Sequence, residues 1–233
     1  MLVTNQIENF ETKETGRKAV VRLAAAWVLL PTFFLVAGGS LQWWPAWIYC
    51  AAFLVPMTFF IFYMLGRNPA FIARRMNSFE KEKVQRRILN FGYPLMVATF
   101  LVSALDQRFL WSKISNATII FALALCFLSY LFVLRVFIEN PWAARTIETF
   151  KNQKVIATGP YALVRHPMYL GTIVLLLATP AALGSLWAFV PALPLIPIFV
   201  ARILHEEKLL TRELNGYAEY KIQVPYRLVP GIW

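Results

Sequence analysis

Between Gly159 and Gly171 the chain reads GPYALVRHPMYLG, which sets Arg165, His166 and Pro167 at the door of a hydrophobic run with Tyr161 and Tyr169 on either side. Further on, the exit ARILHEEK presents Arg202 and Glu206 four positions apart, on one helical face where they can meet, with Glu207 alongside. Ionisable residues at membrane depth are costly and by default point to function. An arginine fork suits a carboxylate, and a carboxylate suits a cation. Singly, each residue has a plainer reading. Arg165 could be a topology anchor, Tyr161 and Tyr169 members of an interfacial aromatic belt, and Glu206-Glu207-Lys208 a solvated helix face. Gathered at one mouth of the membrane domain, they read as a site.

Other chemistries fit less well. His166 and His205 are the only histidines, and with Glu206 and Glu207 they form neither His-Glu-x-x-His nor His-x-x-Glu-His, so no metal site is expected. Gly-x-Gly-x-x-Gly and Walker loops are missing. Basic residues are not interleaved with aromatics as a nucleic-acid surface would need, so no nucleic-acid partner is expected. Cys50 and Cys126 fall inside apolar runs, where small core residues are the plain reading.

The elements that carry these residues follow from composition. Of 233 residues 59% are hydrophobic and 15% charged, and the mean hydropathy is +0.56, outside the soluble balance. Four stretches, Leu23 to Leu41, Trp43 to Leu65, Ile88 to Leu105 and Ile114 to Leu134, lack any Asp, Glu, Lys or Arg and approach or reach the roughly 20 residues that cross a bilayer. A fifth charge-free stretch, Pro167 to Ala201, would run about 50 Å as one helix, too long for one crossing. A break near Thr179-Pro180 or Leu183-Gly184-Ser185 makes it a hairpin whose second helix bends around Pro191, Pro194 and Pro197. The expected fold is all-α and polytopic, with about six transmembrane segments: five spans plus, or including, a C-terminal helical hairpin.

Charge supports this count. With the amino terminus inside, every Lys and Arg except Arg108 and Lys113 falls in cytoplasmic segments, so both termini and the polar cluster are expected on the cytoplasmic face of a multi-pass integral membrane protein. The net charge of +11 then reflects orientation and anionic headgroups. The polar amino terminus reads as a cytoplasmic arm, and Arg67 to Asn90 as a surface helix or headgroup-facing segment. Two parts are expected: residues 1–138, an arm and four spans, and residues 139–233, which hold the unusual polar chemistry.

GPYALVRHPMYLG, the Arg202-x-x-x-Glu206-Glu207 exit, GYAEYKIQV and the late Arg227 together resemble the carboxy-terminal core of the isoprenylcysteine carboxyl methyltransferase family, integral-membrane enzymes that use S-adenosyl-L-methionine and release S-adenosyl-L-homocysteine. The resemblance covers roughly residues 139–233. The earlier spans, with RNPAFIARRM, resemble bacterial members more loosely. Phospholipid and small-thiol methyltransferases share much of this core.

The resemblance implies that Gln153, Lys154, Val155 and Ile156 line the cofactor with Tyr161, that His166, Pro167, Met168 and Tyr169 continue that pocket, that Glu206 meets the cofactor's amino-acid end, and that Arg202 faces the methyl acceptor. His205 stands where eukaryotic members are more acidic, which leaves the division of roles between Glu206 and Glu207 open. The face of Tyr161 or Tyr169 favours a sulfonium, and the carboxylate of Glu206 or Glu207 favours the cofactor's ammonium, so both glutamates are expected at the cofactor. A carboxylate or thiolate acceptor needs no strong base, so a lipophilic, prenylcysteine-like acceptor arriving from the bilayer is expected. Three alternatives stand beside this: a phospholipid or amine N-methyltransferase, an NADPH-dependent membrane reductase, and a transporter or assembly factor without enzymatic activity.

Overall fold

A computed structural model describes residues 2–76, 83–143 and 153–233. Among them all regular structure is helical: α1 (Leu2–Gly38), α2 (Trp44–Arg67), α3 (Pro69–Met76), α4 (Lys83–Phe109), α5 (Asn116–Glu139), a 3-10 turn (Gly159–Ala162), α6 (Pro167–Ala182), the one-turn α7 (Phe189–Ala192), α8 (Leu195–Glu213) and α9 (Tyr217–Gln223). Helices are what apolar chains must form in lipid, where each backbone polar group has to be satisfied internally. Large apolar side chains such as Val28, Leu29, Phe59 and Phe121 point outward from the bundle.

Five helical stretches are long and apolar enough to cross a membrane: Lys13–Gly38, Trp44–Arg67, Lys83–Phe109, Asn116–Glu139 and Phe189–Glu213. The sixth expected segment, α6, has only 16 residues, about 24 Å of helix and short of a full crossing. Its break is at Leu183-Gly184, where Gly184 takes φ +80°; the helix runs through Pro180 without ending. The return helix breaks where the sequence predicts: α7 stops at Ala192, and α8 begins directly after Pro194.

The amino-terminal arm is part of a helix, since α1 starts at Leu2 and continues unbroken into the first span. Glu14 and Lys18 pair across one turn at 2.6 Å on its polar portion. Of the segment Arg67 to Asn90, expected as a surface helix or headgroup-facing stretch, α3 takes Pro69–Met76 and buries Phe71 and Ile72, and the part from Lys83 belongs to α4; residues 77–82 lie outside the described residues, as do Arg145 and Lys151 of the charge pattern.

Two contacts hold the hairpin in the bundle. At its tip, buried Asp106 accepts hydrogen bonds from Ser112 and from Ser185 Oγ, while Trp43 Nε1 donates to the Leu183 carbonyl at 3.3 Å. Along its length α6 lies against α5, and Gly171 permits the approach. A Cβ there would sit 2.7 Å from Val133 Cγ2 and 3.3 Å from the Ser129 carbonyl. Gly171→Ala is therefore expected to lower stability by about 1–3 kcal/mol in detergent thermal unfolding. Gly66→Ala is the control, since a Cβ at that helical position meets nothing within 4 Å.

Candidate active site

Pro167 occupies the first turn of α6, where its missing N–H costs nothing, and this fixes His166 as the residue before the helix. The returning α8 brings Arg202 and Glu206 opposite. Tyr169 Oη donates to Glu206 Oε2 at 2.6 Å and accepts from Arg202 Nε at 2.8 Å. One phenol thus links the arginine and the carboxylate that the sequence singles out.

These residues share a cavity. Gln153, Lys154, Val155 and Ile156 form one wall; Tyr161, His166, Met168, Tyr169, Arg202 and Glu206 form the others. Two residues expected there are elsewhere. Pro167 does not line the cavity, and Glu207 turns away from it, its carboxylate accepting from Arg165 Nε at 2.7 Å and Arg227 Nε at 2.9 Å, with His166 Nε2 at 3.3 Å. Adjacent positions on a helix point about 100° apart, so Glu206 and Glu207 are divided between the cavity and the packing behind it. The carboxy-terminal strand of chain completes that packing: the backbone N–H groups of Arg165 and His166 donate to the carbonyls of Tyr226 and Arg227, each at 2.9 Å.

Several residues in and beside the cavity were not singled out individually in the sequence. Asn140 Nδ2 donates to Tyr161 Oη at 3.1 Å, and Tyr220 Oη donates to the Tyr161 carbonyl at 2.7 Å. Tyr217 also lines the cavity; it is 4% exposed, and its hydroxyl has no hydrogen-bond partner among the described residues. Gln85 of α4 donates to the Arg202 carbonyl at 3.3 Å and lies 3.0 Å from His205 Nδ1, which ties α4 to the exit of α8. Burial pushes the Tyr161 hydroxyl up to about 12. It also raises that of Tyr217, with the nearby Glu207 and Glu206 charges adding to the shift. Both phenols therefore stay neutral and present ring faces without a phenolate.

A second cavity, of about 670 Å³, opens beside the first, lined by Phe53, Met57, Phe60, Phe71, Tyr130 and Phe137 among others, with Arg22 and Arg75 also on its lining. Met168, Tyr169 and Arg202 line both cavities. Residues from both sides of the 138/139 boundary build the second one.

Residues 117–216 match the family model described as phospholipid methyltransferase. That segment spans α5, α6 and α8, and so holds Tyr161, His166, Tyr169, Arg202 and Glu206. Among curated relatives, the Delta(14)-sterol reductase TM7SF2 of Mus musculus is 31% identical over 91 residues, 38% of this chain and 22% of that protein. The cobalt-zinc-cadmium resistance protein CzcN of Cupriavidus metallidurans is 29% identical over 160 residues, 68% of this chain and 69% of its own. With five candidate spans and this match to a membrane-enzyme family model over residues 117–216, the chain is a multi-pass membrane protein.

Proposed function

We propose that the chain is an integral-membrane methyltransferase that uses S-adenosyl-L-methionine to methylate a lipophilic acceptor, a carboxylate or thiol of the prenylcysteine kind, at the cytoplasmic face. The observation that carries this reading is the meeting of a polar cavity and an aromatic-lined cavity at Met168, Tyr169 and Arg202.

The donor set fits the cofactor. Glu206 offers a carboxylate to its ammonium, Tyr217 offers a buried hydroxyl that lacks a partner, and neutral Tyr161 and Tyr217 offer ring faces to a cation. Bound there, S-adenosyl-L-methionine would supply a sulfonium-activated methyl group. The residues Gln153 to Ile156 and Met168 would hold it, and His166 would meet its carboxylate.

On the acceptor side, Arg202 would orient an anionic head while Phe53, Phe60 and Phe137 take the apolar body. Tyr169 fixes Arg202 relative to Glu206, so the two halves of the reaction are registered through one side chain. Transfer in line over about 3–3.5 Å needs positioning more than acid-base chemistry.

Calorimetric titration of the purified protein with S-adenosyl-L-homocysteine tests this: binding is expected, and binding of NADPH in its place would favour the reductase reading. An acceptor screen in detergent follows. Turnover restricted to phosphatidylethanolamine-like amines would overturn the carboxylate or thiol assignment in favour of N-methylation, the reading closest to the family's description.

Met57 lines only the aromatic cavity. Met57→Trp is expected to raise the acceptor KM about 10-fold and to leave S-adenosyl-L-homocysteine affinity unchanged in the same titration.

A further inference from the structure

A second charged feature lies behind the active-site wall. On another side of α8, Lys208 and Arg212 join Lys221 of α9 and Arg227 of the carboxy-terminal segment around a cleft of about 470 Å³, with Leu204, Glu207 and Thr211 completing it. The single carboxylate cannot balance it. Glu207 is already held between Arg165 and Arg227, and Arg212 reaches Glu213 at 2.6 Å. Lys208 and Lys221 form no ion pair among the described residues, so the cleft carries excess positive charge.

Its polarity is graded along α8. Leu204, one turn before Lys208 on the same face, is 40% exposed and sits toward the apolar length of the helix. Ile222 and Ile232, near Lys221 and Arg227 in the chain, are 83% and 80% exposed, and the Arg227 guanidinium lies 5.1 Å from the Trp233 ring centre. A basic cleft with exposed Leu204 in its lining, at the end of a helix long and apolar enough to cross a membrane, matches the boundary between acyl chains and headgroups.

We propose that this cleft binds the phosphate of an anionic phospholipid in the surrounding leaflet, with an acyl chain descending past Leu204. Leu204 in the lining and the cleft's place at the end of a candidate span are what favour a lipid over a soluble phosphate compound, which would leave Leu204 uncovered. This site is independent of the methyl-transfer reading, because none of the cleft's cations lines the candidate active site.

The test uses the full chain in nanodiscs of phosphatidylcholine with and without phosphatidylglycerol, and measures lipid retained on the protein by native mass spectrometry with titration. The parent is expected to retain phosphatidylglycerol in preference to phosphatidylcholine. Lys208→Gln with Lys221→Gln is expected to weaken that binding about 30-fold, the paired Lys→Arg changes to keep it, and Lys113→Gln, far from the cleft, to leave it unaltered. If the double variant fails to fold, Lys208→Gln alone is expected to weaken binding about fivefold. Equal retention of the two lipids by the parent, full retention by the glutamine variants, or displacement of phosphatidylglycerol by inorganic phosphate but not by chloride of equal ionic strength would each overturn the proposal.

Discussion

Replacing Glu207 with alanine is expected to destabilise the protein by about 3–5 kcal/mol, read as a large fall in detergent thermal unfolding, because it strands the buried Arg165 guanidinium and removes the partner of the part-buried Arg227. Arg165 and His166 are 6% and 5% exposed, and Glu207 itself is 3% exposed. Its two oxygens tie α8 to the chain before α6 and to Arg227 in the terminal segment. Loss of this carboxylate also frees the backbone pairing that holds His166 at the cavity. The exposed Arg212–Glu213 pair supplies the comparison: Glu213→Ala is expected to change stability by no more than about 0.5 kcal/mol. Similar small effects for the two variants would refute a clamp at Glu207.

The second large effect separates the two faces of the proposed active site. Glu206→Gln keeps the shape but removes the charge, and should weaken S-adenosyl-L-homocysteine binding about 10- to 100-fold by calorimetry, the range for a hydrogen bond to a charged group. Arg202→Ala should cut turnover about 100-fold with homocysteine-product affinity nearly kept, since it removes acceptor positioning and not the donor's partner. Tyr169 bonds to both residues, so Tyr169→Phe should show both defects in weaker form. If Glu206→Gln and Arg202→Ala both bind and methylate like the parent, the site assignment fails.

Much of this arrangement is readable along the chain. Charge-free runs of the right length announce membrane helices, because burying a charge in lipid is prohibitive. Prolines and Gly184 bound the hairpin, and the Arg202/Glu206 spacing places both residues on one helical face. The extent of α6 was less legible. Pro180 sits in its last turn, where the helix tolerates it, so of the two break points readable in the sequence the later, at Leu183-Gly184, is the one used, and the helix is still shorter than a crossing. The continuation of α1 into the polar arm was hidden for a different reason: hydropathy marks where lipid ends and is silent on where a helix ends.

Residue types and periodicity by themselves determined that this chain is a helical membrane protein with its polar chemistry gathered at the two ends of a returning hairpin. Only the tertiary structure decided that Glu206 looks into the cavity while Glu207 braces Arg165 and Arg227 behind it, that Gln85 reaches the Arg202 carbonyl from α4, and that Asp106 pins the hairpin tip through Ser112 and Ser185. Neighbouring carboxylates are chemically identical in a sequence. Their roles diverge once the rotation of α8 against α6 and the terminal segment sets which one meets open space and which one meets buried arginines.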